Sequence, residues 1–147
     1  MLKNNFFLLL LLIFTSTAVA KAGELTSLEG KEINYQQLSA SGQVVLFIWT
    51  TWCPYCLIQL DQLSEQCSYQ NVKLVLVNSG EKKEDVRNFI KNRDIPECIQ
   101  NNIVLDRNST LAKKFSIPGF PTFIFLKNGK YLTRSYYLNK DLIKEAY

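Results

Sequence analysis

An α/β fold with a mainly parallel sheet is predicted from three observations. Strand-like and helix-like segments alternate along the chain, the mark of sheet strands joined by crossover helices. Two strand-like segments, Val44 to Ile48 and Val72 to Val77, are nearly unbroken apolar runs, as expected for strands covered on both faces. With a leading segment of 20 residues set aside, the remaining 127 of the 147 suit one domain with a real core and leave no room for a second.

The elements follow in order. Residues 1–20 have the plan of a secretory signal peptide: Lys3 near the start, an apolar run from Phe6 to Phe14, and small side chains at Ala18 and Ala20. Thr15, Ser16 and Thr17 interrupt the run short of the roughly 20 apolar residues of a membrane anchor. Cleavage is therefore expected over an anchored form, leaving 21–147 as one exported domain. Leu25 to Leu28 and Ile33 to Tyr35 flank Glu29-Gly30-Lys31 as an N-terminal β-hairpin. Gln43 to Thr50 is the central strand. Pro54 opens a helix to about Gln66, since proline fits a first turn, and Val72 to Val77 is the next buried strand. Glu81-Lys82-Lys83-Glu84-Asp85 reads as the solvated start of a helix whose stripe is Val86, Phe89 and Ile90. Ile103 to Leu105 is a short strand and Thr110 to Phe115 a short helix. Thr122 to Leu126 and Tyr131 to Tyr137 form a hairpin around Asn128-Gly129, which supplies the backbone angles of a tight turn. Lys140 to Tyr147 is a closing helix.

Composition excludes several functions. The chain has no histidine, so Ser-His and Cys-His pairs, histidine-held haem and His-containing metal sites are ruled out. Its net charge of +4 comes from scattered residues, which argues against nucleic-acid or membrane-surface binding. The four cysteines, with intervals of two, ten and thirty residues, lack the repeated pairs of a zinc ribbon. Four cysteines in an exported protein more naturally form two disulfides. No cofactor and no metal are expected.

One segment carries chemistry. Trp52-Cys53-Pro54-Tyr55-Cys56 follows a buried strand and opens a helix. There the free N–H groups and positive helix end stabilise a thiolate at Cys53, and only a thiolate attacks a disulfide. Cys56, one turn on, resolves the mixed disulfide. Trp52 shields the pair and shapes the contact surface. Ile117-Pro118-Gly119-Phe120-Pro121-Thr122 stands at the mouth of a later strand. A cis Pro121 there would set the Phe120 backbone beside the dithiol, ready to pair with an extended substrate.

On these residues the chain resembles the thioredoxin superfamily, in particular the exported branch typified by TlpA and ResA. Further likeness lies in Glu29-Gly30-Lys31, Val77-Asn78, Val104-Leu105-Asp106 and Phe125-Leu126-Lys127-Asn128-Gly129-Lys130. The resemblance implies a thioredoxin-like fold with an N-terminal β-hairpin and a central inserted helix and strand between Gly80 and Asp106. It implies Cys53 and Cys56 as the redox pair and Pro121 as the cis proline. Three positions depart from the pattern. Phe47 stands where thioredoxins bury an acid. Gln59 stands where some membrane-side reductases carry glutamate. Pro54-Tyr55 is a glutaredoxin-like dipeptide. Neither Phe47 nor Gln59 can take the Cys56 proton, which leaves water or a neighbouring side chain.

Cys67 falls on the inward stripe of the helix that Pro54 opens. It is read either as a buried thiol or as bonded to Cys98. If the strands at Val72 and Ile103 are neighbours, both cysteines lie at the sheet end away from Cys53, and an oxidising compartment favours the bond. The function expected is reduction of disulfides in exported proteins, such as apocytochrome haem-attachment thiols. The alternatives are an oxidase or isomerase of the same fold and a copper(I)-binding module. A peroxidase is disfavoured because Leu46 replaces the proline such enzymes carry. Expected partners are cysteine-containing exported proteins and a membrane or periplasmic dithiol that exchanges electrons. A monomer in the periplasm or a similar extracytoplasmic space is expected.

Overall fold

In a β-strand successive side chains point to opposite faces, and the central strands here carry large apolar side chains on both. Val45, Phe47 and Trp49 join one buried cluster, while Val44, Leu46 and Ile48 join another. A strand so loaded on both faces needs a layer of helices on each side. The computed structural model describes residues 25–40, 42–69 and 71–147; the expected signal segment lies outside them. Among the described residues the elements run β1 (Leu25–Ser27), β2 (Glu32–Ile33), α1 (Tyr35–Ser39), β3 (Gln43–Trp49), α2 (Pro54–Gln66) and β4 (Val72–Ser79). They continue as α3 (Lys83–Asn92), α4 (Glu97–Gln100), β5 (Ile103–Asp106), α5 (Thr110–Lys114), β6 (Thr122–Lys127), β7 (Lys130–Ser135) and α6 (Lys140–Ala146).

The strands form one sheet in the order β2-β1-β5-β4-β3-β6-β7. Only β3 with β4 and β4 with β5 are parallel; the hairpins β1–β2 and β6–β7 and their junctions with β5 and β3 are antiparallel. The expected mainly parallel sheet is thus a parallel centre flanked by antiparallel edges, because tight turns such as Asn128-Gly129 can only join antiparallel strands. One face is covered by α2, α3 and α4 through Leu60, Leu63, Val86, Ile90 and Ile99, with α6 packed at its margin. The other is covered by α1 and α5 through Tyr35 and Leu111.

Two local readings are corrected. The second hairpin strand ends at Ile33, and Tyr35 begins a helix. Asn34 causes the change: its side-chain oxygen accepts the Gln37 N–H at 3.2 Å, an N-cap bond that ends extended structure. The single turn α4, unforeseen in sequence, follows Pro96, whose fixed φ suits a helix entry.

Register places the chemistry. Trp49 pairs with Asn78, Ser79 with Asp106, and Ile48 with Thr122. The C-terminal ends of β3, β4 and β5 and the start of β6 therefore share one rim. No helix among the described residues is long and apolar enough to cross a membrane.

Candidate active site

β3 delivers Thr50 and Thr51 to that rim, and the chain turns through Trp52 into α2. Cys53 is the N-cap residue, with extended backbone (φ −87°, ψ 111°), and Pro54 follows in the first turn. The Cys53 sulfur accepts the Cys56 N–H at 3.2 Å, one of the free donors at a helix start. Cys53 and Cys56 are joined as a disulfide with Cα atoms 5.2 Å apart, within the usual span of such a bond. Cys56 is fully enclosed and Cys53 only 4% exposed, whereas Trp52 and Tyr55 are 67% and 71% exposed. The sulfurs thus lie below the surface while the neighbouring aromatic side chains project from it.

Phe120–Pro121 is a cis peptide. The Trp52 ring stands edge-on to Phe120 at 5.9 Å, tying the helix start to this loop. An open groove of about 340 Å³ runs from the loop between Tyr55, Ile58 and Gln59 on α2 and Tyr136 and Tyr137 beyond β7. Trp52, Cys53, Cys56, Phe120 and Pro121 are therefore gathered in one place. A larger groove of about 600 Å³ lies at the far end of α2, between Gln66 and Lys144, and touches none of them.

The departures from the family pattern have structural counterparts. Phe47 lies beneath the site, its ring stacked on Phe123 at 4.6 Å and beside Trp49 at 6.3 Å, in the apolar cluster that contains Cys56. Gln59 accepts the Leu138 N–H at 3.0 Å, so it anchors the loop bearing Tyr136 and Tyr137. Glu81, expected in a solvated charge run, instead turns inward. Its carboxylate accepts the Thr51 N–H at 2.8 Å, the Thr51 hydroxyl, and the Asn78 amide at 2.6 Å. Sequence reasoning missed it. The available signal was Gly80, whose positive φ of 81° turns the chain back after β4.

Cys67 and Cys98 lie elsewhere. Cys67 is the left-handed C-cap of α2 (φ 56°) and Cys98 is on α4. They too are joined, with Cα atoms 5.6 Å apart. The 13 residues of α2 put about 20 Å between this bond and Cys53. Among the described residues, no group of three or more His, Cys, Asp or Glu is placed to hold a metal ion.

The family model described as Redoxin matches residues 15–141. The chain belongs to that family. This redoxin is similar to the "Thiol-disulfide oxidoreductase ResA" of Bacillus cereus, 28% identical over 109 residues that cover 71% of the chain and 60% of the relative. It is 35% identical over 111 residues to the "Sporulation thiol-disulfide oxidoreductase A" of Bacillus subtilis, covering 71% of the chain and 62% of the relative. The redoxin thus spans about 60% of the length of the curated relatives it matches. The crystal structure of StoA from Bacillus subtilis superimposes with a TM-score of 0.63 at 27% identity, covering 82% of this chain and 92% of that one. A secreted Mycobacterium tuberculosis disulfide oxidoreductase shares the fold, with a TM-score of 0.64 at 19% identity, covering 82% of this chain and 90% of that one. The redoxin is a TlpA/ResA-like member of the thioredoxin superfamily.

Proposed function

We propose that this redoxin is an exported thiol–disulfide oxidoreductase that reduces disulfides in exported proteins. The observation that carries thiol–disulfide exchange is Cys53 at the N-cap of α2, its sulfur facing the Cys56 N–H beside exposed aromatic side chains; the reducing direction rests on the resemblance to the TlpA and ResA branch. A thiolate there is favoured by the helix N-terminus. In the reduced protein, Cys53 attacks one sulfur of a substrate disulfide. A mixed disulfide forms and the first substrate thiolate leaves. Cys56 then loses its proton and attacks the Cys53 sulfur, restoring the Cys53–Cys56 bond and releasing the second substrate thiolate. Two electrons pass to the substrate, whose thiolates take up two protons, and an external dithiol regenerates the reduced pair. Trp52, Phe120 and Pro121 hold the extended substrate segment. Cys67–Cys98 takes no part in exchange and braces the fold. Export rests on the signal-like residues 1–20.

The deciding measurement is the reduction potential of Cys53–Cys56, together with its thiol state trapped in living cells. A reductase has a potential well below that of strong oxidants, at about −120 mV, and a mostly reduced pair. A fully oxidised pair at that potential would sink the reading.

A further inference from the structure

Glu81 stands apart from the other charges near its helix. The neighbouring carboxylate Glu84 is exposed, whereas Glu81 reaches back across the end of the sheet to a residue thirty positions earlier. Every contact it makes there is with a donor: the Thr51 N–H, the Thr51 hydroxyl and the Asn78 amide. An ionised carboxylate, which only accepts, matches such a set. The Asn78 side chain depends on this arrangement, since it is fully buried and its own oxygen has no protein partner. Gly80 makes the approach possible. A side chain at Gly80 would meet the Ser109 hydroxyl at 3.0 Å and would hold an unfavourable positive φ.

We infer that Glu81 is the positioning residue of the redox loop: its carboxylate clamps Thr51 and so sets the path of Trp52 and Cys53 into α2, and its charge opposes the Cys53 thiolate. The inference rests on Cys53 being the attacking thiol. Thr51 is two residues from Cys53, a span of at most about 7 Å, which puts the carboxylate on the order of 10 Å from the sulfur. At an effective dielectric of about 20, a unit charge at that distance changes an equilibrium by about tenfold. The sign follows. A fixed negative charge destabilises the thiolate and hence the reduced pair, making the dithiol a stronger electron donor. It partly offsets the helix N-terminus, which acts in the opposite sense.

The test is equilibration of the chain with glutathione, in which two glutathione thiols reduce Cys53–Cys56 and form one glutathione disulfide. It is paired with the pH profile of Cys53 alkylation by iodoacetamide. Glu81→Gln keeps the size and removes the charge. It should move the equilibrium about tenfold toward the dithiol, equivalent to about 30 mV, and shift the alkylation profile about one pH unit lower. Glu81→Asp, which restores the charge, should return both most of the way. Thr51→Val, which keeps the charge but loses the hydroxyl donor, should slow attack on a model disulfide with a smaller shift in equilibrium. Glu84→Gln should leave both readouts unchanged. An unmoved equilibrium and profile in folded Glu81→Gln would overturn the inference, as would an equal response from Glu84→Gln. A parent chain that exchanges with no disulfide would instead overturn the proposed function, which keeps the two failures distinct.

Discussion

At the start of α2, Cys53 is bonded to a residue three positions on; at its end, Cys67 is bonded to Cys98, 31 positions on. The chain-entropy model assigns the first loop about 2 kcal/mol and the second about 3.7 kcal/mol. Their settings differ as well. Cys53 caps free N–H groups at the positive helix end, whereas Cys67 occupies a left-handed C-cap at the negative end, where a thiolate is disfavoured. Opening the first bond releases little restraint beside a prepared anion site. Opening the second frees a long loop and gains no such stabilisation. One helix can therefore carry a bond suited to cycling and a bond suited to permanence, with position along the helix dipole and loop length deciding which is which.

Mutating each end separates these roles. Cys53→Ser should lower the disulfide-exchange rate by about a thousandfold or more, since a residue acting as nucleophile has no substitute. Its unfolding curve should barely move beyond the loss of the short loop. The pair Cys67→Ala and Cys98→Ala should do the reverse: about 3 kcal/mol off the urea unfolding free energy, with the exchange rate of the folded protein within about twofold of the parent. A large rate loss in this second variant would break the division.

Gly80→Ala sharpens the comparison at the active end. The positive φ and the close Ser109 hydroxyl should cost about 1–2 kcal/mol. The displaced Glu81 should change the glutathione equilibrium, which a purely structural substitution far from the rim would not. A further effect is set by pH. Burial pushes the Tyr147 phenol up to about 12, and its hydroxyl donates to the Val44 carbonyl at 2.8 Å. Because the folded value lies above the ordinary one near 10, the neutral phenol stabilises α6 docking fully below about pH 10. That stabilisation is lost as pH rises through 12. Tyr147→Phe should remove this alkaline dependence from the unfolding curve.

Legibility in the sequence followed the range of the interactions involved. β3 and α2 were readable because a continuous apolar run and Pro54 are local signals, and helix and strand limits fell within a residue of those expected. The placement of Trp52 to Cys56 was readable for the same reason: motif, strand end and helix start are contiguous. α4 was not, because a single turn has no periodicity to detect. Glu81 was hidden by its neighbours, since a run of mixed charges looks like a solvated helix start. Its partners on Thr51 include a backbone N–H, which every residue but proline offers, so no residue type thirty positions away advertised the contact. The role of Gln59 was hidden likewise, because its partner is the Leu138 backbone.

The stack of Phe47 on Phe123 has a consequence for proton traffic. In the proposed cycle Cys56 must release a proton, and Phe47, in the apolar cluster that contains Cys56, offers no group to take it. We expect that proton to pass through the mouth of the site to the medium. The resolving step should then respond to the concentration of external buffer base at fixed pH, much as a small-molecule dithiol does.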